Sequence, residues 1–144
     1  MDRGQVGSGP RMPAKDFREL RVYANAFELG KRMHELTRAF PPEERFSLSD
    51  QVRRSSRAVC AMIAEAWRKR RYPAAFVSKL SDADADADAD AEAAETIVWL
   101  DYAMEFGYIS RPVHDELVNL CEHVGSQLTL MMNNANRWTP KTPS

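Results

Sequence analysis

Hydrophobic residues in the first third of the chain recur with the spacing of a helix rather than that of a strand. They follow one another at intervals of four and three residues, at Val22, Ala26, Leu29, Met33, Leu36 and Phe40. This spacing places them on one face of a helix that begins near Leu20. Pro41 and Pro42 come next. Because proline cannot donate a backbone hydrogen bond, they predict the end of this helix.

A second helix is predicted to begin near Ser47, because a serine hydroxyl can accept hydrogen bonds from the free amides of a helix start. Asp50 suits the positive end of the helix dipole. The inner seam again has helical spacing, with Leu48, Val52, Ser55, Val59, Met62 and Ala66. A neighbouring stripe has the same spacing, with Ser56, Cys60, Ile63 and Trp67. The apolar face is therefore wider than one seam of a bundle needs.

Two further helices are predicted in the second half of the chain. Pro73 suits the first turn of the third helix, which has Phe76 and Leu80 on its inner side and ends at Gly107. The fourth helix opens at Ser110. The inner seams of these two helices are Ala93, Ile97, Leu100 and Met104, and then Val113, Leu117, Leu120, Val124, Leu128 and Met131.

Short connections between helices of similar length favour an antiparallel, up-down-up-down arrangement. The predicted fold is therefore an all-α four-helix bundle over residues 16–136. Residues 1–15 are rich in glycine, proline and polar side chains, and residues 137–144 follow the last apolar position. Both segments are predicted to be disordered tails.

A repeat of alternating aspartate and alanine occupies residues 82–91, inside the third helix. Alternation is the period of a strand, but alanine is a poor strand former. Aspartate is a mediocre helix former, and like charges four residues apart weaken a helix. We expect this segment to be solvated and either partly helical or looped out.

Length and composition are those of one globular domain, since 144 residues include 44% hydrophobic and 28% charged residues. The formal net charge of −1 hides a strong asymmetry. Eight basic and two acidic residues lie between Arg45 and Arg71, whereas seven acidic and no basic residues lie between Asp82 and Glu95. The distribution of charge is therefore a better guide to partners than its sum.

The basic residues of the second helix are the main candidate binding site. A helical projection places Arg53, Arg57, Arg68 and Arg71 in a sector of about 60° opposite the inner seam. The full candidate set for nucleic-acid binding is Arg45, Arg53, Arg54, Arg57, Arg68, Lys69, Arg70 and Arg71. Guanidinium groups suit phosphates, and RNA or DNA would gain affinity by releasing counterions along such a stripe. The alternative is a solvated face that is balanced by the acidic repeat or by a neighbouring subunit.

Apolar residues outside the main seams predict self-association. They are Tyr23, Phe27, Ile63 and Trp67, and together they form more apolar surface than a monomeric bundle can cover. Trp67 could also stack on a base, but contact with another helix or subunit is the more common use of such a side chain.

No sequence motif of an enzyme or of a metal site is present. The histidines, His34, His114 and His123, lack the Glu-x-x-His pairing of di-iron bundles. The acidic repeat matches the every-second-residue pattern of a calcium loop, but Ala89 replaces the turn glycine and any repeat of period two fits that pattern. We therefore expect no catalysis, no cofactor and no metal ion.

Cys60 and Cys121 lie in helical patterns without metal-ligand partners nearby, and we expect both to be reduced and packed. The first sixteen residues contain no apolar segment typical of a secretory signal, and no apolar run has the length of a membrane span. These features predict a cytoplasmic protein that does not associate with membranes.

Several stretches resemble the bacterial four-helix-bundle family of intervening-sequence proteins, which are encoded within insertions in large-subunit ribosomal RNA genes. The matching phrases cover nearly the whole chain outside its tails. They are Phe17-Arg-Glu-Leu-Arg-Val-Tyr, Leu36-Thr-Arg-Ala-Phe-Pro-Pro-Glu-Glu-Arg-Phe-Ser-Leu, Gln51-Val-Arg-Arg-Ser-Ser-Arg-Ala-Val, Ile63-Ala-Glu-Ala-Trp, Phe76-Val-Ser-Lys-Leu, Ala93-Ala-Glu-Thr, Leu100-Asp-Tyr-Ala and Gly107-Tyr-Ile. The Asp–Ala repeat is longer than the connecting segment that usually precedes Ala-Ala-Glu-Thr in this family.

The resemblance implies a left-handed up-down-up-down bundle that assembles into a ring, most often a homopentamer. One branch of the family is similar to the accessory variability protein of diversity-generating retroelements, which works beside a reverse transcriptase and binds nucleic acid through a basic surface. The matching basic positions in this chain are Arg53, Arg54 and Arg57. The resemblance thus leaves two functions open, namely RNA binding and a scaffold role beside a reverse transcriptase.

Overall fold

Four antiparallel helices make up the described part of the chain. The computed structural model describes residues 15–69 and 79–133. The helices are α1 (Arg21–Thr37), α2 (Leu48–Lys69), α3 (Lys79–Glu105) and α4 (Arg111–Asn133). Short 3-10 helices lie at Phe17–Glu19 and Pro42–Glu44. The predicted all-α four-helix bundle is confirmed, whereas the predicted tails and helix start at Pro73 lie almost wholly outside the described residues.

Each helix packs against the next one in sequence, and α4 also packs against α1. The inner faces meet in two continuous clusters. One contains Ala26, Ile63 and Leu128, and the other contains Leu29, Val52, Leu100 and Leu117. This arrangement leaves α2 with α1 on one side and α3 on the other, so its outward surface is bounded by those two helices.

The ends of α1 and α2 differ slightly from the prediction. The helix α1 ends at Thr37 rather than at Phe40, because residues 38–40 form tighter i to i−3 hydrogen bonds before Pro41. At the start of α2 the amide of Leu48 donates to Glu44 Oε1 at 3.2 Å. The predicted role of Ser47 as the side-chain cap is therefore taken by the carboxylate of Glu44.

The α3–α4 connection follows the sequence prediction. Gly107 has a φ of +79°, and the amide of Tyr108 donates to the carbonyl of Ala103 at 2.8 Å, as in a glycine-terminated helix. The hydroxyl of Ser110 accepts a bond from the amide of Val113 at 3.4 Å. The predicted end of the third helix and cap of the fourth are thus confirmed.

The Asp–Ala repeat is helical, so the looped-out alternative is wrong. The helix α3 continues through residues 82–91 without a break. Ala89 and Ala93 are buried against the core. A Cβ atom on Gly125 of α4 would lie 2.9 Å from Asp90 Oδ1, which shows how closely α4 approaches this helix. Alanine supports the helix because it has the highest helix propensity, and its small side chain permits close packing.

A buried histidine joins α3 to α4. His114 Nε2 lies 2.7 Å from Asp101 Oδ1 on α3, and its Nδ1 lies 2.8 Å from Asp115 Oδ1 on its own helix. The hydrogen bond to Asp101, and then that to Asp115, raises the pKa of His114 above its ordinary value. Arg111 also faces Asp115, at 4.0 Å. The protonated ring can donate to both carboxylates at once.

Substitution of Gly107 and substitution of Gly30 should have effects of opposite sign on stability. Gly107→Ala should lower the free energy of unfolding by about 1 kcal/mol, because a side chain disfavours positive φ. Gly30→Ala in the middle of α1 should raise it by about 0.5–1 kcal/mol, because no other group lies within 4 Å of the new Cβ atom and alanine favours helix. Urea unfolding of both variants measures this difference. Destabilisation by Gly30→Ala would contradict the described helix.

The stability of the bundle should depend on pH through His114. Because the folded pKa exceeds the unfolded value of 6.5, the folded state binds more protons between these two values. The contribution of His114 is therefore fully present below pH 6.5 and is lost as the pH rises through the folded pKa. His114→Gln should remove this decline from urea unfolding curves, whereas His123→Gln, at an exposed position of the same helix, should keep it. Equal curves for wild type and His114→Gln would contradict the ion pairs.

Candidate nucleic-acid interface

Three arginines of α2 lie on the side that faces α1. Arg53 Nε donates to Thr37 Oγ1 at 2.7 Å, and Arg57 Nη2 lies 3.2 Å from His34 Nδ1. Arg68 is the last residue but one of α2, with its guanidinium carbon 5.8 Å from the ring centre of Phe17. We call Arg53, Arg57 and Arg68 the arginine flank. Their spacings of four and eleven residues bring them onto one side of α2.

The arginine flank keeps its positive charge available. Among the described residues, none of its three guanidinium groups has a carboxylate oxygen within 4.0 Å. Arg68 interacts electrostatically with Asp16, but that carboxylate forms its own ion pair with Arg18 at 2.6 Å. The partners of the flank are a hydroxyl, an imidazole and an aromatic ring. Such partners position a guanidinium group without neutralising it.

Arg54 is oriented differently from the arginine flank. It points toward α3, where it forms ion pairs with Glu92, at 3.5 Å, and with Glu95. The hydrogen bond to Glu95 raises the pKa of Arg54. Trp99 Nε1 also donates to Glu95, at 3.1 Å. The charge of Arg54 is therefore balanced within the protein, although the sequence places it beside Arg53.

The remaining basic candidates are separated along α2. Arg45 precedes the helix and lies over the ring of Phe46, with 5.5 Å between the guanidinium carbon and the ring centre. Arg68 is 23 residues further along, about 35 Å away at 1.5 Å per helical residue. Lys69 is the last residue of α2 and is half-buried. Arg70 and Arg71 lie outside the described residues. The described members of the predicted set are thus divided among the arginine flank, the α3 side and the two ends of α2.

Two of the four predicted oligomer contacts are inside the protomer. Ile63 is 0% exposed and Trp67 is 3% exposed, and both belong to the core cluster with Val59 and Leu128. Their burial contradicts the predicted contact with another protomer, and for Trp67 it agrees with the contact with another helix. The wide apolar face is covered because α2 packs between two helices. Met62, which was predicted in the inner seam, is only half-buried. The stripe through Ile63 is therefore part of the core.

The other two predicted oligomer contacts lie near the surface. Phe27 is 52% exposed, and Tyr23 is half-buried. Their rings are stacked with centres 5.9 Å apart, and Tyr23 meets Phe17 edge to face at 5.1 Å. Both residues belong to α1, on the side that faces α2. They remain candidates for contact with a partner.

The thiols of both cysteines have pKa values above the ordinary one. Burial raises the pKa of Cys60 to about 11, and burial, with the charge of Glu122, raises that of Cys121 to about 12. Both thiols are free and stay protonated at neutral pH. The six acidic positions that matched a calcium loop lie on the continuous helix α3. A straight helix does not wrap its side chains around one ion as a calcium loop does.

Several contacts of the site are not evident from the sequence. His34 and Phe17 contact the arginine flank from α1 and from the preceding 3-10 helix, and Glu92 and Glu95 neutralise Arg54 from α3. In the sequence, Phe17 is marked only by its place in the phrase Phe17-Arg-Glu-Leu-Arg-Val-Tyr, which resembles the family. The register between α2 and α3 has no comparable signal, because each helix alone fits several rotations of its neighbour.

Comparison with known proteins identifies the family of the chain. A crystal structure of a protein of unknown function from the S23 ribosomal protein family of Bacteroides thetaiotaomicron is similar in fold, with a TM-score of 0.66 and 24% identity. The match covers 78% of this chain and 96% of that one. The search of curated proteins gives no match. The family model described as 23S rRNA-intervening sequence protein matches residues 18–130. The chain therefore belongs to the 23S rRNA-intervening sequence protein family.

Proposed function

We propose that the protein is a non-enzymatic, homo-oligomeric bundle that binds RNA through the arginine flank. The observation that carries this proposal is the arrangement of Arg53, Arg57 and Arg68 on one side of α2 without a neutralising carboxylate among the described residues. Arg54 serves as the internal contrast, since two glutamates balance its charge.

Phosphate is the chemical group that fits this flank best. A guanidinium group offers several donors in a planar fork. Arg57 uses one of its nitrogens, Nη2, in the contact with His34. Phosphates that pair with such groups release condensed counterions, so affinity falls with salt. The family description names a 23S ribosomal RNA context, which supports RNA as the polyanion.

A second candidate function is a protein-interaction scaffold, for example an accessory factor of a reverse transcriptase. Three large exposed apolar side chains on α3 and directly after its end favour protein contacts, namely Val98, Tyr102 and Phe106, which are 46%, 49% and 53% exposed. The rings of Tyr102 and Phe106 have centres 5.7 Å apart. We call these three residues the α3 stripe. A scaffold without direct contact to nucleic acid would show no salt-dependent affinity for RNA.

The α3 stripe also supports self-association. It is an apolar surface away from the arginine flank, so a neighbouring copy could cover it while the flank stays accessible. Trp99 extends the row, with its ring 6.2 Å from that of Tyr102. We therefore propose the stripe as the contact between copies in a homopentamer.

RNA binding should be salt-dependent and should rely on the arginine flank. Arg57→Ala should reduce the slope of log affinity against log salt by about 0.7 for a single-stranded RNA, which corresponds to one lost phosphate contact. Arg68→Ala should do the same. Arg54→Ala removes an equal charge but should change the slope much less, because that charge is balanced by glutamates. Fluorescence anisotropy over a salt series measures these slopes.

Two results of this experiment would contradict RNA binding by the flank. One is an affinity that does not depend on salt. The other is an equal loss for Arg54→Ala and Arg57→Ala, which would show that only the total charge matters. Circular dichroism of each variant confirms that the helices are intact.

The mass of the protein in solution should be five times the 16.4 kDa mass of one chain. Tyr102→Glu should lower this mass, because a charge in the α3 stripe cannot be buried against a neighbouring copy. Phe46→Glu, at a ring that is 85% exposed and outside the stripe, should leave it unchanged. Light scattering coupled to size exclusion makes the measurement. A wild-type mass of one chain would contradict self-association.

A further inference from the structure

A row of aromatic rings lies beside the arginine flank. The ring of Phe17 meets that of Tyr23 at 5.1 Å, and Tyr23 stacks with Phe27 at 5.9 Å. Arg68 and Arg18 both lie over the ring of Phe17, with guanidinium carbons 5.8 and 4.8 Å from its centre. One end of the row therefore carries positive charge, and Phe27, the most exposed ring, is at the other end.

The row lies on the side of α1 that faces the arginine flank. We call the surface bounded by Tyr23, Phe27, Arg57 and Arg68 the groove. Phe27 lies seven residues before His34, and residues seven apart share one side of a helix. His34 contacts Arg57, so Phe27 faces the side of α1 that is next to α2. The contacts of Thr37 with Arg53 and of His34 with Arg57 show that α1 and α2 run in opposite directions. Phe27 and Tyr23 are therefore opposite the part of α2 between Arg57 and Arg68.

Small residues line the space between Phe27 and Arg57. Gly30 of α1 is half-buried and has no other group within 4 Å of its Cβ position. On α2 the residues that follow Arg57 on the flank are Cys60 and Ala64, which are also half-buried. The groove thus combines a floor of small side chains, one exposed ring and cations near both ends.

We propose that this groove binds unpaired bases of single-stranded RNA, with bases stacked on Tyr23 and Phe27 and phosphates held by Arg57 and Arg68. The inference rests on the proposed function and specifies its ligand. Arg57 and Arg68 are eleven residues apart. That separation is about 16 Å along the helix, which leaves room for more than one nucleotide between the two arginines.

Single-stranded RNA fits the groove better than a duplex does. Aromatic side chains bind bases through their flat faces, which are accessible only when the bases are unpaired and unstacked. A duplex offers phosphates to the arginines but no base face to Phe27. The groove is also unsuited to binding the apolar α3 stripe of a second copy. The arginines of the groove would lose water in that contact without gaining a carboxylate partner.

The experiment compares three probes on the full-length chain. They are a labelled single-stranded RNA of about twelve nucleotides, the duplex of the same sequence, and heparin, which is a polyanion without bases. Anisotropy should show tighter binding of the single strand than of the duplex. Phe27→Leu and Tyr23→Leu should each weaken single-strand binding by about 5- to 100-fold and leave heparin binding unchanged. Phe46→Leu is the matched control and should change neither.

The outcomes separate this inference from the proposed function. If both leucine variants bind the single strand as the wild type does while Arg57→Ala is weakened, base stacking is overturned and RNA binding by the flank stands. If the wild type binds none of the three probes at low salt, the proposed function fails as well. If Phe27→Leu instead lowers the mass of the assembly, the rings belong to a contact between copies and the inference is overturned.

Discussion

The burial of the inner face of α2 between α1 and α3 determines what the rest of the surface can do. Val52, Val59 and Ile63 have no exposed surface, so the rotation of α2 about its own axis is fixed by the core. A rotation by one residue, about 100°, would move these side chains into water at a cost of about 1.5–3 kcal/mol each. The same constraint directs Arg53, Arg57 and Arg68 toward α1 and Arg54 toward α3. The chemistry of the surface is therefore set by packing.

Much of the fold follows from the sequence because helix periodicity and helix ends are local properties. The seam of α1, the stop at Gly107 and the cap at Ser110 each depend on a few neighbouring residues, and all three appear in the structure. The wide apolar face of α2, taken alone, predicts self-association. The face is wide because two helices cover it, and the pattern of one helix does not show how many neighbours it has.

The candidate site was only partly predictable for a related reason. Helical projection groups Arg53, Arg57, Arg68 and Arg71, since this grouping depends on a single helix. The structure places the first three on one side of α2, and Arg71 lies outside the described residues. The partners of these residues come from elsewhere in the chain, and the difference between Arg54 and Arg57 depends on which carboxylates α3 brings into range. That register is fixed by the contacts between the helices, including the buried hydroxyl pair Ser55–Thr96 at 2.8 Å. It is a tertiary property and leaves no periodic signal.

The acidic half of α3 makes the two sides of α2 electrostatically different, which bears on the proposed binding of RNA. Because α2 and α3 are antiparallel and Arg54 meets Glu95, the backbone of residues 82–91 runs beside the C-terminal half of α2. Charges more than about 8 Å apart are largely screened at physiological salt, and a helix is about 10 Å wide. For the proposed RNA, the described carboxylates on this side, Asp88, Glu92 and Glu95, would therefore repel phosphate there and act only weakly across α2. The net charge of −1 of the whole chain is therefore compatible with the proposed binding of RNA at the arginine flank.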